Sequence, residues 1–348
     1  MRPAVFAIPG DMDTQTGGYV YERRLLQGLR DAGRDVVHLP LGGSYPDPTP
    51  VHMADAVARL CAVDPGRVLI LDGFISGATE TAGLARVRAP MVAMVHHPLA
   101  EETGLGAARR DHLFRNERDN LALMTHVLVP SPHTAGVLTA RYGVAPGRIT
   151  VARPGTDRPG MTGRPVDPPM ILSVGIQHPR KGHDVLLAAL ALMQQRAWQA
   201  VIVGGSHDAA HSALLERQRV ASGLERRVRL AGRISAAELG ALYASATVFA
   251  LATRYEGYGI VFDEALAHGL PIVSCRTGAV PDTVPADAGL LVAVDAPGAF
   301  AEALDRVLGD NGLRLGLVQG ATRAAAGLPD WHQTAAIAGR VLDGVRGS

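Results

Sequence analysis

Lysine is nearly absent from this chain of 348 residues: among its 34 lysines and arginines, Lys181 is the only lysine. An arginine bias accounts for the other basic positions, so a single surviving lysine marks a place that wants a compact ammonium rather than a planar guanidinium. Cysteine is scarce as well. Cys61 and Cys275 are far apart, with neither a second cysteine nor a ligand-spaced histidine beside them. That excludes a disulfide framework and a structural zinc site and predicts two buried free thiols. The net charge is only +1 at pH 7, which gives the whole molecule no electrostatic case for nucleic acid or an anionic membrane; any anion site is local. No stretch approaches the roughly 20 apolar residues of a membrane span. The first apolar run, Ala4 to Ile8, is too short for a signal-peptide core and has no small-residue cleavage pattern after it. The expectation is a soluble, cytoplasmic protein. No repeat of solenoid period is found, and no Gly-x-Gly-x-x-Gly turn follows the first strand, which argues against a dehydrogenase.

What is present is enough apolar material for two cores. Hydrophobic residues make up 47% and charged residues 19% of the chain, and its length suggests about two domains. Short apolar runs alternate with stretches at helical spacing, the pattern of a parallel sheet covered by helices on both faces. In the first half the expected strands are Ala4 to Ile8, Asp35 to Leu39, Arg67 to Leu71, Met91 to Val95, His126 to Val129 and Arg148 to Val151. A Pro- and Gly-rich segment from Arg153 to Pro169 reads as a linker. The alternation then restarts at Met170 to Val174, Ala200 to Val203, Val228 to Leu230, Thr247 to Ala250, Pro271 to Ser274 and Gly289 to Val292. The reading is α/β, two doubly wound parallel-sheet domains over 1–160 and 168–328, with a helix at about 331–348 crossing back onto the first.

Two loops carry chemistry. Gly175-Ile176-Gln177-His178-Pro179-Arg180-Lys181-Gly182 follows a strand and has the look of a phosphate loop. In the second, the run Glu256-Gly257-Tyr258-Gly259-Ile260-Val261 leads from a strand into a helix that carries Glu264 one turn in. Glycines there allow close backbone approach, and the free N–H groups at the helix start face an anion. The two glutamates, separated by seven residues, are placed to grip hydroxyls at the two ends of one extended ligand.

The segment from Glu256 to Glu264, with its continuation Ala265-Leu266-Ala267-His268-Gly269-Leu270-Pro271, resembles the E-x7-E signature of the retaining glycosyltransferases of family 4. The resemblance extends over nearly the whole chain. Pro9-Gly10 through Gly17-Gly18-Tyr19 is similar to the family's N-terminal glycine loop, Val129-Pro130-Ser131 to its fifth-strand edge, and Gly232-Arg233-Ile234-Ser235 to the segment that meets the nucleotide base. The resemblance implies the GT-B fold, two Rossmann-like domains facing across a cleft, acceptor in the first and nucleotide sugar in the second. It implies that Lys181, Arg180 and the N–H groups of Gly259, Ile260 and Val261 neutralise a departing diphosphate, that Glu264 binds ribose and Glu256 the donor sugar, and that Gly17 and Gly18 close over the phosphates. Gly257, Tyr258, Arg233 and Ile234 complete the donor side. His96, a neighbour of the transferred sugar, and His97 and Asp13 mark the acceptor side; Lys181, Glu256 and His96 are the expected catalytic set. The donor is UDP- or GDP-linked, the acceptor a glycan, lipid or small metabolite, and neither cofactor nor metal is expected. Many relatives carry arginine where this chain has Ile176, and Arg180 is the residue placed to supply that charge; Tyr258 replaces a commoner phenylalanine.

Four other readings stay open on residues alone. Asp11-Met12-Asp13 has the form of a metal-binding D-x-D. Arg109, Arg110, Arg115 and Arg118 with Leu105, Leu113, Phe114 and Leu121 have the makings of a basic amphipathic helix docking at a bilayer, diluted by Asp111, Glu117 and Asp119. A nucleotide-sugar 2-epimerase shares the architecture, and a degenerate nucleotide-sugar-binding protein would tolerate Ile176.

Overall fold

The computed structural model describes residues 1–14, 16–160 and 163–345. The chain divides into two units: residues Met1–Gly155 with the chain from Pro329 onward, and residues Thr156–Leu328. Each apolar run foreseen as a strand is one, with ends shifted by at most two residues.

In the first unit the strands are β1 (Ala4–Pro9), β2 (Val36–Leu41), β3 (Val68–Asp72), β4 (Met91–Met94), β5 (His126–Val129) and β6 (Ile149–Val151). They form one parallel sheet in the order β2-β1-β3-β4-β5-β6. The order reverses between β1 and β3, and ligands of such sheets bind outside the carboxyl ends of the strands at that switch. Asp72 ends β3, and the segments leaving β1 and β4 carry Gly17 and His96.

The second unit contains β7 (Met170–Val174), β8 (Gln199–Val203), β9 (Val228–Gly232), β10 (Val248–Leu251), β11 (Ile272–Cys275) and β12 (Gly289–Val292), parallel in the order β12-β11-β10-β7-β8-β9. Its switch lies between β7 and β10, which pair directly, Ile171 with Val248 and Leu172 with Phe249. Alternate residues of β7 serve opposite cores: Met170, Leu172 and Val174 pack with Phe249 and Phe262, and Ile171 packs with Leu186, Leu190 and Phe300. A strand buried on both faces reads as an unbroken apolar run.

The helix Trp331–Gly344 belongs to the first unit. It lies so close to the helix Gly17–Asp31 that a Cβ on Gly28 would come within 2.8 Å of the Ala335 methyl. Arg34 clamps it with a two-pronged bond to Asp343, Nη1 to Oδ1 and Nη2 to Oδ2, each 2.9 Å. The expected helix ran on through 346–348, which lie outside the described residues. Of the two free thiols Cys275 is buried, whereas Cys61, last residue of the helix Pro50–Cys61, is half-exposed rather than buried as expected.

No described helix is long and apolar enough to cross a membrane. The stretch weighed as a bilayer-docking helix, Ala107–Leu123, is a solvated helix over a core. Leu113, with Leu105 and Phe114 against it, packs inward. Arg109, Arg115 and Arg118 pair with Asp47, Asp111 and Asp119, and Arg110 is exposed.

Candidate functional site

The pairing of β7 with β10 brings together two loops 75 residues apart. After β7 the chain turns at Gly175 and forms a short 3-10 turn, Pro179–Lys181, where the His178 ring accepts the Arg180 N–H at 3.1 Å. Gly182 then takes φ +64°, and a Cβ there would lie 1.9 Å from the Ala252 carbonyl oxygen; only glycine lets this loop press onto the end of β10. His183, fully buried, bonds through Nε2 to the Gly175 carbonyl at 3.0 Å. Burial pushes its imidazole down to about 4, so the ring is neutral and donates from Nε2.

The two loops meet at Glu256. Lys181 Nζ donates to its Oε1 at 2.7 Å, Arg180 Nη1 stands 3.4 Å from Oε2, and the Thr253 hydroxyl donates to Oε1 at 2.9 Å. Burial alone would push this carboxyl up, but the Lys181 and Arg180 charges, with the Lys181 and Thr253 hydrogen bonds, hold it below its ordinary value. It is a carboxylate between two cations. The main chain of Glu256 is fixed too, since its carbonyl accepts the Ala279 N–H at 2.9 Å.

Beyond Glu256, Gly259 takes φ +90° and caps the helix Ile260–Ala267 without any side-chain bond to the helix N–H groups. A Cβ on Gly259 would strike the Phe262 ring at 2.5 Å. The helix start thus offers main-chain N–H groups and its positive dipole end at the carboxyl end of β10, where an anion is favoured. Glu264 accepts the Tyr243 hydroxyl at 2.8 Å, and the Tyr243 ring stacks on His268 with centroids 5.0 Å apart. Glu264 is not the solvated carboxylate of an outer helix face: burial raises its carboxyl, opposed by the Tyr243 bond. The Tyr258 ring is turned inward, its hydroxyl on Asp263, so this position presents main chain, as do buried Gly257 and partly exposed Ile260 and Val261. Arg233 and Ile234 follow β9, two strands from β7; Arg233 lies beside Gly205, where a Cβ would be 3.3 Å from its Nε.

A second cluster lies in the first unit. Gly17 and Gly18 open the helix Gly17–Asp31, and a Cβ on Gly18 would touch His96 Cδ2 at 3.4 Å. The His96 ring meets Tyr21 edge-on at 5.3 Å, and its Nε2 lies 3.3 Å from Glu22 Oε1. Asp72 ends β3, and its Oδ1 accepts the Phe74 and Ile75 N–H groups at 2.7 and 3.3 Å. Ligand atoms of Glu22, Asp72 and His96 all lie within 4.8 Å of one another, the one such group of three among the described residues. The two carboxyls are 1% and 5% exposed. A divalent ion would need both ionised and room for further ligands; two buried carboxyls this close suit a shared proton. Burial pushes Glu22 up to about 7; burial and the neighbouring Glu22 raise Asp72; burial lowers His96, opposed by Asp72.

Glu22 and Asp72 were not singled out by sequence. A signal existed: Glu22 keeps step with buried Leu25, Leu26 and Leu29 on the inner face of its helix, where a carboxylate needs a reason. His97 Nε2 stands 3.5 Å from Glu102 Oε2. Asp13 is exposed and donates its N–H to Asp11 Oδ1 at 2.9 Å, so the Asp11-Met12-Asp13 segment uses one carboxylate to close its own turn.

Known proteins resemble this chain in order and fold. The family model described as "Glycosyl transferases group 1" matches residues 168–310. A D-inositol 3-phosphate glycosyltransferase of Acidothermus cellulolyticus is 30% identical over 336 residues, 87% of this chain and 74% of that protein. One of the same name from Corynebacterium glutamicum is 31% identical over 219 residues, and there the match spans only about half of the relative, 52%. Among solved structures, a sucrose-phosphate synthase from Thermosynechococcus elongatus superposes with a TM-score of 0.81 at 21% identity, covering 98% of each chain. Anabaena Alr3699/HepE, solved with UDP and glucose, superposes with a TM-score of 0.79 at 15% identity, covering 99% of this chain and all of that one. At such identities these two structures speak for the fold.

Proposed function

We propose, since the chain belongs to the group 1 glycosyltransferases (family 4) and has their GT-B fold, that it is a retaining hexosyltransferase. It moves a sugar from a UDP- or GDP-linked donor to an acceptor hydroxyl without a metal ion. The observation that carries this reading is the Lys181–Glu256 contact of 2.7 Å beside the uncapped helix start at Gly259. Two cations, one carboxylate and main-chain N–H groups without a side-chain cap, gathered at a sheet switch point, suit an anion such as a diphosphate. An ammonium has three donors, so Lys181 can hold Glu256 and a phosphate oxygen together. As the bond from the sugar's anomeric carbon to the diphosphate breaks, Lys181, Arg180 and the N–H groups of residues 259–261 stabilise the charge on the leaving oxygen. The acceptor oxygen attacks from the same face, and its proton goes to the departing phosphate oxygen, so no enzymic base is required. Glu264, steadied by Tyr243, takes the ribose hydroxyls. Glu256 takes donor-sugar hydroxyls, and Gly17 and Gly18 give backbone room near the phosphates. His96, His97 and Asp13 form the acceptor side, with His96 against the transferred sugar.

The test is calorimetric titration with UDP, GDP, ADP and their sugar conjugates in EDTA, followed by transfer assays. D-inositol 3-phosphate is the first acceptor to try, because two relatives bear its name. Selective binding of one nucleotide diphosphate, weakened in Glu264→Ala and Lys181→Ala, supports the reading. Conversion of a donor to an epimer without any acceptor, or binding of none of these nucleotides, overturns it.

A further inference from the structure

We propose that Glu22, backed by Asp72, is a positioning residue for His96: it accepts the ring's Nε2–H, so that the ring meets a ligand hydroxyl as a neutral acceptor through Nδ1. The inference rests on the reading of His96 as a sugar or acceptor neighbour. Three elements box the ring. The helix Gly17–Asp31 supplies Gly18 against the Cδ2 edge at 3.4 Å, Tyr21 at 5.3 Å and Glu22 at 3.3 Å, and Asp72 comes from the end of β3. The order of access decides which groups meet a ligand. Glu22 is 1% and Asp72 5% exposed, whereas the His96 side chain is 22% exposed. The carboxyls are out of a ligand's reach, so their effect passes through the imidazole.

Asp72 is itself immobilised by the two N–H groups of Phe74 and Ile75, which fixes one end of the relay. The charged or titratable groups facing the ring and the acid pair are Glu22, Tyr19 and Tyr21 of the helix, Asp72 of β3 and, through Tyr19, Asp11. None of these is a cation. A buried acid pair whose basic neighbour is a neutral imidazole keeps a proton at neutral pH, and the remaining carboxylate character is what accepts from Nε2. A histidine whose one nitrogen is bound to a carboxylate has its tautomer set by that bond.

The experiment is long-range proton–nitrogen NMR on histidine-labelled protein, with the His96 signals assigned by His96→Gln. Wild type should show a protonated, slowly exchanging Nε2 and an unprotonated Nδ1 at pH 7.5. Glu22→Gln, whose amide oxygen still accepts, should keep the slow Nε2–H; Glu22→Leu should lose it. An unprotonated Nε2 in wild type overturns the inference even if Glu22→Leu fails to fold, and so does a folded Glu22→Leu with an unchanged Nε2 signal. With the transfer reaction in hand, Glu22→Leu should lower kcat and leave the donor KM within twofold. Failure of nucleotide binding would instead sink the donor-site reading while leaving the ring signals as expected.

Discussion

Glu256 and Glu22 are both buried glutamates, each beside the switch point of a six-stranded parallel sheet. Glu256 has Lys181 and Arg180 within 3.4 Å and is held ionised. Glu22 has only another acid and a histidine, and burial drives it towards its protonated form. The same placement in the same architecture thus yields opposite electrostatics, decided by what the neighbouring strand end supplies. A lysine loop leaves β7 beside β10, whereas an aspartate ends β3 beside β1. The first arrangement suits an anion; the second suits a hydroxyl and its proton.

The comparison breaks first at its cationic side. Lys181→Ala should lower kcat by about 100-fold or more, the usual loss when one donor to a developing anion is removed, and Lys181→Arg should recover only part. Full activity in the arginine variant, measured at saturating donor, would refute the need for a compact ammonium. Next in size, Glu264→Ala should raise the donor dissociation constant about tenfold, read by calorimetry, with Tyr243→Phe giving a smaller shift in the same direction because it removes only the bond that steadies the carboxylate.

The acidic side is sharpened by pH. Glu22, ordinarily near 4.5, sits at about 7 in the folded chain, so the folded state binds this proton more tightly than the unfolded state. Its contribution to stability is fully present below about pH 4.5 and is lost as pH rises through 7. Glu22→Gln cannot titrate. The unfolding free energy of wild type minus that of the variant, from urea titrations at pH 5 and pH 8, should therefore fall by about 2–3 kcal/mol. Taking the difference cancels distant buried acids such as Glu117, pushed up to about 8 by burial; the effect of Glu22 on its neighbour Asp72 is part of what it reads. A difference that stays flat would mean that Glu22 is ionised across this range. The smallest effect expected is none: dialysis against EDTA should leave the transfer rate unchanged, and a loss restored by manganese or magnesium would overturn metal independence.

How far these sites can be seen in the sequence follows from the range of the forces that build them. Strands announced themselves because burial on both faces demands unbroken apolar runs, as in Met170–Val174, and the loops with Lys181, Gly259 and Glu264 announced themselves by residue types that serve little else. The contact between Lys181 and Glu256 was not legible, since it depends on β7 pairing with β10 rather than on anything local. Asp72 and Glu22 were hidden for the same reason, their meeting being set by β1 lying beside β3. In the stretch Ala107–Leu123 the pairs Arg115–Asp111 and Arg118–Asp119 are local and could be read from the sequence, whereas Arg109 meets Asp47 only through the fold.

The helix Trp331–Gly344 is synthesised after the second unit yet closes the first. On the ribosome, residues 1–155 must wait through the making of all of Thr156–Leu328 before Ala335 can settle on Gly28 and Asp343 can reach Arg34. The usual order, in which the leading domain finishes folding before its successor emerges, is reversed: the second unit completes itself while the first still exposes the inner face of its helix Gly17–Asp31. A chain stopped at Leu328 would therefore carry a finished second unit and an unfinished first.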